Sequence, residues 1–165
     1  MDITDEQLQE TAARYGTPVY VYDLRAIRAR LQELHGLLPR AHIRFALKAN
    51  SAAPVVRLMA ENGAGAEAIT AAELKRALAG GIPADRILVG GPAQGPAMRS
   101  LARAEGISTV SLDSASQWED WSGELERGDP QQFLVRVNPA LDPQTHQHLA
   151  TGSADSKFGL LPGAA

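Results

Sequence analysis

From His42 onward the chain repeats one grammar: a short apolar stretch, a turn rich in Gly, Asn, Ser or Pro, and then a helix-period segment rich in Ala, Leu, Glu and Arg. Alternation of this kind restricts the fold more than any other feature of the sequence. It predicts strands at Ile43–Leu47, Ala66–Thr70, Arg86–Val89, Ser108–Leu112 and Phe133–Val137, with starts roughly 20 to 25 residues apart. Helices are predicted between them at Pro54–Glu61, Ala71–Ala79, Pro96–Ala104 and Ala115–Leu125. Pro54 and Pro96 stand near first-turn positions, where a missing N–H costs nothing. Gly63, Gly80-Gly81 and Gly106 follow the helical stretches as stops.

Strands alternating with helices imply a parallel sheet covered by helices, either doubly wound or closed into a barrel, and periodicity alone does not separate the two. A dinucleotide-binding fold calls for a Gly-rich loop directly after its first strand. Here that loop reads Lys48-Ala49-Asn50-Ser51-Ala52-Ala53-Pro54, without glycine, so the dinucleotide reading falls. Ahead of the repeat, Asp5–Tyr15 reads as an amphipathic helix, Thr17–Tyr22 as an alternating β-branched and aromatic strand, and Leu24–Leu38 as a helix ended by Pro39. We therefore divide the chain into residues 1–40, a helix and strand segment serving another domain and the entry to the barrel, and residues 41–165, the repeat itself. The last residues, Ser156 to Ala165, read as a loop leading into a further helix, so the sequence is expected to be a truncated portion of a larger fold.

With 44% hydrophobic residues over 165 positions, the chain can bury a core. Its formal net charge is −3, with both signs scattered, so no basic stripe suggests nucleic acid and no polybasic segment suggests an anionic membrane. Small molecules and further copies of the same chain are the expected partners. No apolar run reaches the ~18 residues of a membrane span and no secretory leader is recognisable, which makes the cytoplasm the expected compartment. The absence of cysteine excludes disulfides, a thiolate nucleophile and a Cys-type zinc site within these residues. His146, His148 and their neighbours have no metal-ligand spacing, so no metal is expected.

One residue stands out chemically. In Phe45-Ala46-Leu47-Lys48-Ala49-Asn50 a lysine sits where the first strand of the repeat meets its loop. The strand ends of α/β barrels gather reactive side chains, and a partly desolvated amine held there can attack an aldehyde. A surface lysine finishing an ordinary strand fits the same spacing.

Tyr15-Gly16-Thr17-Pro18-Val19-Tyr20-Val21-Tyr22-Asp23, Phe45 to Asn50, Gly63-Ala64-Gly65-Ala66-Glu67, Asp113-Ser114, Val135-Arg136-Val137-Asn138-Pro139 and Ser156-Lys157-Phe158-Gly159 together resemble, in order and spacing, the fold-type III pyridoxal 5'-phosphate (PLP) decarboxylases. Within that group, Asp142-Pro143-Gln144-Thr145-His146, Thr151-Gly152 and Ser156 to Gly159 are most similar to the diaminopimelate decarboxylases. The resemblance implies an α/β fold: a partial (β/α)8 TIM barrel of the alanine racemase-like type, with about five of eight strands, and an N-terminal strand belonging to a second β-domain. It also implies a homodimer with shared active sites.

By the same resemblance Lys48 is the catalytic lysine that forms a Schiff base with PLP. Glu67 falls where relatives usually carry an aspartate near that lysine, and Arg136 matches an arginine that reaches the cofactor surroundings. An arginine between Val135 and Val137 also needs an anionic partner if buried. Glu73, His146 and Lys157 are candidates for substrate or interface contacts, Lys157 as an ion-pair partner across a dimer. The sequence departs from the family where Thr70-Ala71-Ala72-Glu73 replaces a Ser-Gly-Gly-Glu-like run and where Gly90-Gly91-Pro92-Ala93-Gln94 lacks a lysine. The family's His-x-Gly-Ser, Glu-Pro-Gly-Arg and Cys-Glu segments have no counterpart among these residues. The implied reaction is conversion of meso-diaminopimelate to L-lysine and carbon dioxide, in lysine biosynthesis, with these residues as an inactive N-terminal portion. The alternatives are a decarboxylase for ornithine, arginine or carboxynorspermidine, and a non-catalytic gene product.

Overall fold

The computed structural model describes residues 3–126, 132–141 and 158–162. The chain divides into two compact units, Met1–Ala41 and His42–Ala165. The first carries helices α1 (Asp5–Tyr15) and α2 (Leu24–Leu37). Thr4 opens α1 through a reciprocal capping box with Gln7, and Asp23 opens α2 by accepting the N–H groups of Arg25 and Ala26. The strand expected over Thr17–Tyr22 is not formed. The segment bends at Thr17 and Pro18, whose peptide bond is cis, and joins no ladder. A strand exists by pairing, and the described residues of this unit supply two helices and no partner edge. Alternation survives only as side-chain stacking: the Tyr20 and Tyr22 rings lie 6.4 Å apart and near parallel, and Tyr20 is 87% exposed.

The second unit follows the predicted order, with β1 (Arg44–Ala46), α3 (Ala53–Glu61), β2 (Gly65–Ala68), α4 (Ala71–Ala79), β3 (Ile87–Val89), α5 (Pro96–Ala104), β4 (Thr109–Leu112), α6 (Ala115–Glu124) and β5 (Gln132–Val135). All four pairings are parallel, and the strands lie in the sheet in chain order, β1-β2-β3-β4-β5. This order decides what periodicity left open. A doubly wound sheet reverses direction at a switch point, whereas here every crossover steps the same way, as in a barrel.

Uniform stepping puts the helices on one face. Ala66, Ala68, Ile87, Val89, Val110 and Leu112 alternate along their strands and share one buried cluster with Val56 of α3, Leu74 and Ala77 of α4, Met98 and Ala102 of α5, and Trp121 of α6. Phe133 of β5 meets the Trp118 and Trp121 rings edge-on at 5.3 and 5.9 Å. The register puts Ala46, Glu67, Leu88 and Thr109 in one row on the opposite, inner face, where Leu134 of β5 is 47% exposed. One face is therefore sealed and the other is partly open.

The outer layer is tied together by a buried cation. Arg99 of α5 is held by Asp120 and Glu124 of α6 and donates to the carbonyl of Gln94. The hydrogen bond to Glu124 raises its pKa above the ordinary arginine value, against the opposing effect of burial. Among the described residues no helix is long and apolar enough to cross a membrane.

Close backbone approach sets the most severe sequence constraint in the sheet. A Cβ on Gly65, at the start of β2, would stand 2.1 Å from the carbonyl oxygen of Arg86 and 3.2 Å from Cγ of Arg44. A carbonyl fixed in the chain cannot swing aside as a side chain can. Gly65→Ala is therefore expected to cost about 3 kcal/mol or more, the upper end for overpacking, read as a lower urea midpoint with an unchanged slope.

Candidate active site

Lys48 lies in the turn that begins directly after β1. The ladder extends one residue beyond the strand, since Leu47 N–H donates to the carbonyl of Glu67 at 3.0 Å, and Leu47 is buried in the helix-side core. Ala49 N–H donates to the carbonyl of Ala46 at 3.0 Å, so Lys48 is a central residue of a tight turn at the carboxyl end of β1. The following loop is fixed by Asn50, whose Oδ1 accepts the N–H of Ala52 ahead of α3. The Lys48 side chain is exposed. The partial desolvation expected from sequence is thus not supplied by the described residues.

Glu67 is half-buried in the middle row of the inner face. Its carboxylate reaches across the end of β3: a Cβ built on Gly90 would stand 2.8 Å from Glu67 Oε1. The missing side chain of Gly90 is therefore what lets this carboxylate lie over the neighbouring strand. Glu73, also expected near the site, has a local task. Its Oε2 accepts the N–H of Ile69 at 2.7 Å while Thr70 Oγ1 accepts the N–H of Glu73, which closes the turn from β2 into α4.

The turn after β4 repeats this device. Ser114 Oγ accepts the N–H of Gln117, and Gln117 Oε1 accepts the N–H of Asp113 at 2.6 Å. The amide nitrogen of Gln117 then donates to the carbonyl of Gly91, which also receives Gln94 Nε2. Gln94 is itself buried, donating to the carbonyl of Ser111 and accepting from the indole N–H of Trp121 at 2.7 Å. These side chains lock the turns after β3 and β4 to each other.

Arg136 follows β5 and continues its ladder, donating its N–H to the carbonyl of Leu112 at 2.9 Å. Because Phe133 faces the helices, alternation turns Arg136 to the inner face. Its guanidinium Nη1 lies 3.3 Å from Asp113 Oδ1, and its charged group stands 4.9 Å from the centre of the Phe158 ring. The anionic partner that a charged residue between two valines demands is therefore Asp113. Phe158 is brought there by a short parallel bridge, in which Leu160 N–H donates to Arg136 O and Asn138 N–H donates to Leu160 O, each at 2.8 Å. A Cβ on Gly159 would stand 2.8 Å from that same Arg136 carbonyl. His146 and Lys157 lie outside the described residues.

The carboxyl end of the sheet thus carries an exposed amine in the turn after β1 and, on the inner face, a carboxylate from β2 and a guanidinium after β5. Residues 24–164 match the family described as pyridoxal-dependent decarboxylase, pyridoxal binding domain. The chain belongs to this family of pyridoxal-dependent decarboxylases. Among its relatives, the diaminopimelate decarboxylase of Deinococcus radiodurans is 39% identical over 162 residues, which is 98% of this chain and 41% of that protein. The diaminopimelate decarboxylase of Actinosynnema pretiosum subsp. auranticum is 41% identical over 151 residues, 92% of this chain and 34% of that protein. The crystal structure of Helicobacter pylori diaminopimelate decarboxylase complexed with L-lysine superposes with a TM-score of 0.79 at 25% identity, over 93% of this chain and 40% of that one. The chain thus spans about two-fifths or less of these relatives' length. The partial barrel expected from sequence agrees with five parallel strands in serial order and with these decarboxylase neighbours.

Pyridoxal-dependent decarboxylases need an amine for the cofactor's aldehyde and positive charge for its phosphate or for a substrate carboxylate. The amine of Lys48 and the guanidinium of Arg136 fit those needs in chemical type, and both residues are exposed. Sequence reasoning quoted Asp113 only as part of a motif and missed Gln117 and Gln94. The Ser114-x-x-Gln117 spacing, the same capping signature as Thr70-x-x-Glu73, was the available signal.

Because the atom nearest a Cβ at Gly90 belongs to the mobile end of Glu67, Gly90→Ala is expected to displace that carboxylate while changing unfolding free energy by less than about 1 kcal/mol. A crystal structure of the variant and a urea titration check the two halves of this statement.

Proposed function

We propose that these residues are the pyridoxal-binding part of a PLP-dependent decarboxylase acting on meso-diaminopimelate to give L-lysine and carbon dioxide. The observation that supports this reading is the position of Lys48, Glu67 and Arg136 at or just beyond the carboxyl ends of parallel strands, in a chain of this family whose relatives include diaminopimelate decarboxylases. Pyridoxal phosphate, when bound, supplies the electron sink for the pair left by departing carbon dioxide.

In this reading Lys48 is the residue that would hold the cofactor, through its amine and the cofactor's aldehyde. Arg136 supplies fixed positive charge at the rim for an anionic group, which its planar donors suit better than a lysine would. Glu67, whose carboxylate reaches over Gly90, would offer the cofactor a group that can hold or move a proton. Glu73 contributes by closing the turn between Glu67 and α4. His146 and Lys157 remain candidates for contacts at the mouth of the site. A cytoplasmic homodimer, with its two sites completed at the interface, and an N-terminal segment shared with a second β-domain accord with the family resemblance.

Two measurements test this reading. In the full chain loaded with PLP, carbon dioxide release is expected from meso-diaminopimelate and not from ornithine, arginine or carboxynorspermidine; release from one of the latter would reassign the substrate. Lys48→Ala is expected to abolish the visible absorbance of covalently held cofactor and to lower turnover by about three orders of magnitude or more. Retained absorbance in that variant would remove Lys48 from its role.

A further inference from the structure

We propose that Asp113 is a positioning residue which sets the direction of the Arg136 guanidinium, and that Gln117 fixes Asp113 in turn. The inference rests on the assignment of Arg136 to the cofactor site. Asp113 stands at the end of β4, only 3% exposed, and its Oδ1 faces Arg136 Nη1 at 3.3 Å. Its Oδ2 is buried with no hydrogen-bond partner among the described residues. The N–H of the same residue is held by Gln117, whose other amide atom is anchored on the carbonyl of Gly91.

Asp113 is therefore held at its backbone by Gln117 and has its carboxylate buried. Arg136 is not immobile by itself, since its side chain is 42% exposed against 2% for that of Asp113. An arginine this accessible can adopt many rotamers in water, so a fixed aim has to be imposed by its contacts. Asp113 on one side and the face of Phe158 on the other supply them. Among the described residues the buried carboxylate meets only the guanidinium, and the donors of Arg136 that Asp113 does not engage can serve an anion on the inner face.

A merely structural ion pair and a positioning pair differ in what they predict for Asp113→Asn. The isosteric change keeps shape and removes the buried charge with its unpartnered oxygen, so the thermal midpoint should not fall. The aim of Arg136 should loosen, and PLP binding, followed by absorbance titration of the full chain with PLP, should weaken about tenfold, the equivalent of about 1.4 kcal/mol. Arg136→Gln is expected to weaken PLP binding at least as much, and adding Asp113→Asn to it should bring no further loss, because the carboxylate acts only through the guanidinium.

Unfolding without cofactor gives an independent readout. Arg136→Gln strands a buried charge and should lower the midpoint, and Asp113→Asn in that background should restore it. Losses of PLP affinity that multiply in the double variant would overturn the proposal, as would a lowered midpoint with unchanged affinity in Asp113→Asn. Weakened binding in Arg136→Gln but not in Asp113→Asn would also overturn it while leaving Arg136 in the site. Unchanged PLP binding in Arg136→Gln would instead overturn the underlying assignment and this proposal with it.

Discussion

The two-residue alternation of a parallel strand, multiplied by crossovers that all step in one direction, governs this structure. Every β-to-α-to-β passage returns on the same side, so one set of side chains, from Ala66 through Leu112, is spent on packing against helices and is sealed from water. The other set is released from that duty. Hydrophobic burial fixes the outer face and leaves the inner face free for residues that would be costly in a core. Glu67 and Arg136 are tolerated in strand and strand-end positions for this reason: neither points into the layer where an unpaired charge would be expensive.

Turn chemistry then converts a tolerant face into an organised one. The turns after β2 and β4 use the same hydroxyl-x-x-acceptor spacing, Thr70 with Glu73 and Ser114 with Gln117. In both, the acceptor reaches back past the capping residue to hold the N–H of the residue before it, Ile69 or Asp113. Helix initiation and strand termination are thereby fixed by a single side chain. Gln117 goes further, since its free amide end crosses to Gly91 and joins two successive turns. Gln94, bonded to Gly91, Ser111 and Trp121, makes the same joint from below. Rigidity at the rim therefore comes from amide side chains, which satisfy buried backbone groups without introducing charge.

The periodic part of this fold was legible in the sequence, and its limits are equally physical. Helices Ala71–Ala79 and Pro96–Ala104 begin and end where glycine, proline and capping residues say they must. Local signals suffice there because they act within one turn of backbone. Thr17–Tyr22 has the alternation of a strand, but strand formation depends on a distant edge that no local pattern encodes. At the site, a lysine at a strand end and an arginine between valines are visible as anomalies. Which carboxylate answers Arg136 is not visible, because Asp113 becomes its neighbour only through the register of β4 on β5. The exposure of Lys48 was likewise hidden, since it depends on how many strands surround it and not on its own neighbours in sequence.

Stability does not account for the placement of Asp113. Its partner is nearly half accessible to water, and ion pairs of that kind contribute about 0–1 kcal/mol. Against this stands the desolvation of a carboxylate with one oxygen left unpaired, a cost of at least comparable size. A neutral or apolar residue of similar volume would fill the same space without that cost. What a neutral residue cannot do is hold a cation in one direction at the edge of an open face, where water would otherwise let it turn. The arrangement exchanges folding stability for a defined field at the end of the sheet, and preorganised charge of this kind is what a site for an anionic cofactor or substrate requires.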